Sequence, residues 1–222
     1  RLQRGRPKKM TVNGISVRRG AQSSGVLFTV YFCPEDLFLI RDGAAARRKL
    51  MDTALCQLRP KYAQALMRYN KAYESKTRIL RDSEERPDLL AALPEFNHQM
   101  ALAGATVIHY RAQFAARLAE YAEASHRECS GGRETLTLRY ETVKTVTDPF
   151  GRPVYAVYAA VGASEGARVC RARGPAVPVR PHKDDLAVLI GGVSAKSYSS
   201  QGQTRTAALS IKLAEREIYK NT

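Results

Sequence analysis

Ser199–Glu217 reads S-S-Q-G-Q-T-R-T-A-A-L-S-I-K-L-A-E-R-E, passing abruptly from small polar residues to a helical pattern. Ala207, Ala208, Ile211, Ala214 and Ile218 recur at helical spacing, which places them along one side of a helix. Ser200, Gln201, Gly202 and Gln203 fall where that helix begins, beside amide N–H groups with no carbonyl partner inside it. Free donors and the positive end of the helix dipole point the same way there, so such a start attracts phosphate. Gly202 lets the backbone approach a ligand closely, and Gln201 and Gln203 offer neutral donors and acceptors. By themselves these four residues also describe an ordinary capped helix after a turn.

Working outward, 222 residues allow one large domain or two small ones, and 44% hydrophobic content is ample for a core. No apolar run is long enough to span a bilayer, and the basic first residues lead into no apolar segment of the secretory kind. These features predict a non-secreted, cytoplasmic chain with no membrane partner. Cys33, Cys56, Cys129 and Cys170 are scattered and make no zinc spacing with His98, His109, His126 and His182, so no metal site and reduced thiols are expected. The net charge of +15 is uneven: residues 1–81 hold 18 Lys/Arg against 5 Asp/Glu, and 82–222 hold 18 against 16. A basic half beside a nearly neutral half points to an anionic polymer, most often nucleic acid.

Before the Ser199–Glu217 stretch, Val12-Asn13-Gly14-Ile15 is a hairpin signal, because both central residues of the tight turn need φ > 0. A second strand is expected at Val26–Phe32. Pro34, Glu35 and Asp36 suit a helix start, Gly43 its end, and Ala44–Cys56 the next helix. Arg47 and Arg48 could reach two phosphates or clamp acids such as Asp52. Gln57–Leu80 reads as a long helix with a Leu58, Tyr62, Leu66, Tyr69, Tyr73 stripe that packs inward rather than stacking on bases, and with Lys61 and Arg68 on other faces. After a Pro-punctuated link, a second long helix is expected to about Ser125, packed antiparallel on the first. Its histidines read as surface or packing residues.

Ser130-Gly131-Gly132 should end the helices. Strands are then expected at Thr135–Val146, at Val154–Val161, and as a final hairpin running through Leu186–Ile190 and back to Tyr198. His182, Asp184 and Asp185 read as polar turn residues entering a strand, since no third ligand or nucleophile accompanies them.

Several of these stretches resemble the RecF family, ATPases of the ABC/Rad50 type that act in recombinational DNA repair. Ser200-Gln201-Gly202-Gln203 is similar to the family's signature segment. Pro34-Glu35-Asp36-Leu37, followed by Arg47-Arg48 and Asp52, is similar to a second motif, with Cys33, Ala45 and Leu50 departing from the usual residues. Pro181-His182, with Asp184-Asp185, is similar to a third, where Arg180 replaces a usual glycine and would be strained if that position needs φ > 0. The resemblance follows the order of nearly the whole chain. It implies an α+β segment of an α/β ABC-type ATPase: strands of the ATPase head over 1–32, a helical arm or lid over 33–130, and a β segment leading into the signature helix over 131–222.

No G-x-x-x-x-G-K-[ST] phosphate loop and no apolar run ending in paired acids occurs, so the chain is expected to be the middle of a longer protein and inactive alone. The resemblance implies that the whole protein binds ATP with Mg²⁺, and that Ser200–Gln203 reach the γ-phosphate held by the opposite subunit of an ATP-dependent homodimer. It also implies binding to single- and double-stranded DNA, and joint action with RecR and RecO to load RecA at gaps and junctions. Arg47, Arg48, Lys61 and Arg68 are the candidate DNA contacts. The alternatives are a basic module that binds nucleic acid or a partner without nucleotide, and a segment of another SMC- or Rad50-like ATPase, whose arms are longer than residues 57–126 permit.

Overall fold

Met10–Val12 (β1) and Ile15–Val17 (β2) pair antiparallel with Val12 opposite Ile15, and Gly14 takes a φ of 82° in the turn between them. The computed structural model describes residues 10–12, 14–17, 27–151 and 179–222; Asn13 and the strand expected at Val154–Val161 lie outside them. No strand forms over residues 27–33. Side chains hold this segment in place of a ladder: the Thr29 amide donates to Gln57 Oε1 (2.9 Å), and Phe28 stacks on Tyr219 with ring centres 5.3 Å apart.

Pro34–Leu37 is a 3₁₀ turn running into α1, Phe38–Arg41, and after Gly43 comes α2, Ala44–Leu58. The Cys33 amide donates to Asp36 Oδ2 at 2.8 Å, so the acid three residues on supplies a cap where residue 33 is weak. Pro60 sets the next boundary. It biases Arg59 to extended backbone (φ −136°, ψ 98°), so α2 continues through Leu58 and α3 occupies Pro60–Asp82 rather than starting at Gln57. A 3₁₀ turn at Pro87–Ala92 leads to α4, Leu93–Ser130, whose 38 residues extend roughly 57 Å. Gly131, at φ 62°, closes it. Tyr62 meets Tyr110 edge-on, and Lys76 bonds Asn97, so α3 and α4 run antiparallel as the sequence implies.

Leu136–Glu141 (β3) pairs antiparallel with Asp185–Ile190 (β4), from Leu136 opposite Ile190 to Glu141 opposite Asp185. The returning strand is shorter than expected. Val193–Ser194 (β5) gives way at once to a helical turn, Ala195–Tyr198 (α5), closed by the amide and hydroxyl of Ser199 on the Ala195 carbonyl. The last helix, α6, is Gln201–Lys220. One apolar cluster joins Ile40, Met51, Val107, Leu118, Leu186 and Ile211, so both the helical stretch and the β stretch contribute to the same core. In β4, Leu186, Val188 and Ile190 turn to it at every second position. Among the described residues no helix is long and apolar enough to cross a membrane.

Candidate functional site

The start of α6 is a complete capping box. Ser200 Oγ accepts from the Gln203 amide at 3.2 Å, and Gln203 Oε1 accepts in return from the Ser200 amide at 2.8 Å. The other end of the Gln203 side chain donates to Glu134 Oε1 at 2.8 Å. Gln203 is therefore committed to holding the helix start together, a task its residue type alone does not announce. What remains open to a ligand is the amide ladder at Gln201 and Gly202, where an α-helix leaves its first N–H groups unpaired. Ser200, Gln201 and Gly202 are exposed. A Cβ placed on Gly202 would meet only Ser200 Oγ, at 3.9 Å, and its φ is not positive, so neither fold nor backbone requires glycine there. The open space above Gly202 and the free amides fit a phosphate oxygen. Behind this start His126, fully buried, sits with Nδ1 3.3 Å from Ser210 Oγ and Nε2 3.5 Å from Glu134 Oε2, the packing role its position on α4 implied.

A second constellation gathers on Pro181–Asp185, where the chain enters β4. Asp184, 0% exposed, accepts from Arg111 (2.9 Å), Tyr140 (2.6 Å) and Thr142 (2.8 Å). Arg111 also binds both carboxylate oxygens of Asp52 and the Pro181 carbonyl, while Tyr62 closes the ring on Asp52. Four elements thus meet on one guanidinium. Burial pushes the Asp184 carboxyl above its ordinary range against the pull of Arg111, Tyr140 and Thr142. Asp185 lies below its range: its partial burial is outweighed by the two-pronged bond from Arg47 Nε and Nη2, at 2.7 and 2.8 Å. His182, whose Nδ1 meets the Tyr69 hydroxyl, is pushed down by burial and then by Lys183, Arg180, Arg48 and Arg111. The pair Asp184-Asp185 is thus the centre of a polar junction, which is more than the turn chemistry expected of it. Arg111 escaped the sequence reading because nothing in its neighbourhood on α4 marks it; its partners are 59 and 73 residues away.

The candidate DNA contacts divide. Arg47 is 6% exposed, and besides Asp185 its guanidinium serves the carbonyls of Leu39 and Asp42, so four of its five N–H groups are spoken for. The expectation that it holds a phosphate is corrected: it ties α2 to β4. Arg48 is half-buried and donates to the Asp184 carbonyl at 2.7 Å, and Asp52 pairs with Arg111 instead. Lys61 and Arg68 lie exposed on α3, with no ion pair among the described residues. Arg180 sits at φ −132°, so the position does not need φ > 0 and the replacement of glycine brings no strain.

A mixed helix–sheet unit with a long antiparallel helix pair, ending in a capped and exposed helix start, has the α+β fold of an ABC-ATPase-like protein. No family model matches the chain. It is 35% identical over 219 residues to the DNA replication and repair protein RecF of Agathobacter rectalis, covering 99% of this chain and 58% of that protein. It is also 35% identical to the RecF of Thermosynechococcus vestitus, over 96% of this chain and 55% of that protein. A solved structure of the recombination mediator protein RecF-ATPrS in the RecFOR pathway superposes with a TM-score of 0.81 at 29% identity, covering 95% of this chain and 56% of that one. The RecF-ATP counterpart gives 0.80, also at 29% identity, over 96% and 57%. The chain belongs to the RecF family, and it spans a little more than half the length of the relatives it matches.

Proposed function

We propose that this chain serves DNA repair, recombination and replication as part of a RecF-type protein that binds ATP and DNA. Ser200, Gln201 and Gly202 contact the γ-phosphate bound by a second subunit, and Gln203 holds them in place. The observation that carries this reading is the capped, exposed start of α6, with open space above Gly202 and unpaired amides beneath it. The solved RecF-ATP and RecF-ATPrS relatives support nucleotide as the ligand. In this reading Mg²⁺ accompanies the nucleotide.

Phosphate contact in trans couples nucleotide to dimerisation, and hydrolysis releases the clamp. DNA is held through the basic half of the chain, residues 1–81, with Arg47 withdrawn from that role and Arg48 keeping spare N–H groups. RecO, RecR and RecA are the partners in this reading, the first two fitting the RecFOR pathway of the solved relatives. Ser200→Arg in the full-length protein should abolish ATP-driven dimers in light scattering while leaving ATP binding to a single subunit intact. Unchanged dimerisation would overturn the trans contact.

A further inference from the structure

A groove of about 650 Å³ runs between α3 and α4. Its floor is made of small side chains, Ala65, Ala72 and Ala103, all buried, with Phe96 and Leu102 standing beside them. Lys61, Arg68 and Lys71 line it from α3. These three are exposed, and none forms an ion pair among the described residues, although acids compensate Arg47 and Arg111 nearby. No Asp or Glu lines the groove. Three cations without ion pairs among the described residues border a trough with an alanine floor, a surface complementary to an acidic, partly apolar ligand.

We infer that this groove docks an acidic amphipathic helical segment of a partner protein, laid along α3. Small floor residues let a second helix approach closely, and its apolar anchors at i, i+3 or i+4, and i+7 would fill the trough. Lys61 and Lys71 are ten residues apart, roughly 15 Å along α3 at 1.5 Å per residue, so the cations span about three turns of a bound helix. Glutamates or aspartates flanking those anchors would meet them. Nucleic acid fits less well. Base recognition on single strands uses exposed aromatic faces, yet Tyr62 and Tyr69 are buried and Phe96 is half-buried. Duplex phosphates would engage the cations but leave the apolar trough, including the 44%-exposed Leu102, without a partner. The site is separate from the α6 start, and its occupancy needs no nucleotide.

The test uses the full-length protein and a fluorescein-labelled peptide with leucines at helical three-and-four spacing and glutamates elsewhere. A scrambled peptide of the same composition and an oligo-dT of similar length serve as competitors. The patterned peptide should bind by fluorescence anisotropy without ATP, and the scrambled peptide about tenfold more weakly or worse. Arg68→Glu with Lys71→Glu, and separately Leu102→Asp, should each weaken patterned-peptide binding by roughly tenfold. All three positions are exposed, so circular dichroism should show an unchanged fold. Equal binding of the two peptides, or insensitivity to Leu102→Asp, reduces the groove to a non-specific basic surface and overturns the proposal. Displacement of the patterned peptide by oligo-dT, with Arg68→Glu and Lys71→Glu abolishing oligo-dT binding and Leu102→Asp having no effect, assigns the groove to nucleic acid and overturns it too.

Discussion

Helix α3 presents two polar surfaces about a third of a turn apart, and they behave in opposite ways. On one, the hydroxyls of Tyr62 and Tyr69 reach the junction where Arg111 holds Asp52 and Asp184; on the other, Lys61, Arg68 and Lys71 border the groove and make no ion pair among the described residues. The first surface joins charges that are paired inside the fold, and the second leaves its own to solvent or to a ligand. A count of Lys and Arg along the chain treats the two alike. The deciding quantity is whether an acid from a distant part of the chain arrives at the guanidinium, as Asp185 does at Arg47 across 138 residues. Buried pairs of this kind fix geometry more than they add stability, because desolvation opposes their attraction.

Removing one partner of such a pair strands the other, so the largest effect belongs to Arg111. Arg111→Met should destabilise the full-length protein by about 3–5 kcal/mol in urea unfolding, because Asp184 and Asp52 lose their shared counter-charge. Arg68→Met on the groove side should lie within about 0.5 kcal/mol of the parent. A small effect at Arg111, or a large one at Arg68, would erase the contrast between the two faces. Arg47→Ala comes next. Its loss of a two-pronged bond to half-exposed Asp185 should cost about 2 kcal/mol. The log–log salt slope of DNA binding should stay where it is, since no phosphate contact is removed. A slope flattened by about one contact would return Arg47 to the DNA surface.

Much of this architecture is legible in the chain, and the misses have physical causes. The Asn-Gly hairpin, the two long helices, the β4 run and the capped α6 start all rest on local rules: turn geometry, periodicity, capping. The misplaced boundaries fall where side chains from elsewhere decide. Residues 27–33 lack a ladder because Gln57 and Tyr219 hold them, and β5 stops because Ser199 closes a turn on Ala195. At the α6 start, Ser200–Gln203 could be located from sequence, but the division of labour between Gly202 and Gln203 depends on Glu134, 69 residues before Gln203. The polar junction was hardest to foresee. Asp184 and Asp185 are visible as adjacent acids, yet burial raises Asp184 against the pull of Arg111 while Arg47 lowers Asp185 against its partial burial, and only the fold sets those two environments.

Close packing behind the junction yields a smaller effect. Gly104 on α4 faces Val179, Pro181 and Tyr69, and a Cβ there would lie 2.9 Å from Val179 Cγ1 and 3.2 Å from Pro181 Cδ. Alanine favours helix by up to about 1 kcal/mol over glycine, whereas overpacking costs about 1–3 kcal/mol. Gly104→Ala should therefore destabilise by a net ~1 kcal/mol. A gain in thermal stability would mean that the Pro181 strap yields easily, and that the junction tolerates displacement on its α4 side.

The smallest effect separates the two faces by pH. Burial and the neighbouring Lys183, Arg180, Arg48 and Arg111 hold the His182 imidazole below its ordinary pKa. The unfolded chain therefore takes up a proton on this histidine at higher pH than the folded chain does. Unfolding is favoured progressively as pH falls through the ordinary histidine range near ~6.5, and the loss levels off once pH drops below the folded-state value. The stabilising contribution is thus complete above that range and absent below it. His182→Gln keeps a group able to bond the Tyr69 hydroxyl and removes the titration, so its stability should vary less over the same interval, as read by urea midpoints at successive pH values. Substitutions on the groove, away from His182, should leave the pH profile of the parent in place. A His182→Gln profile parallel to the parent's would show that the proton is taken up elsewhere, and that the cations around His182 are better screened than their placement implies.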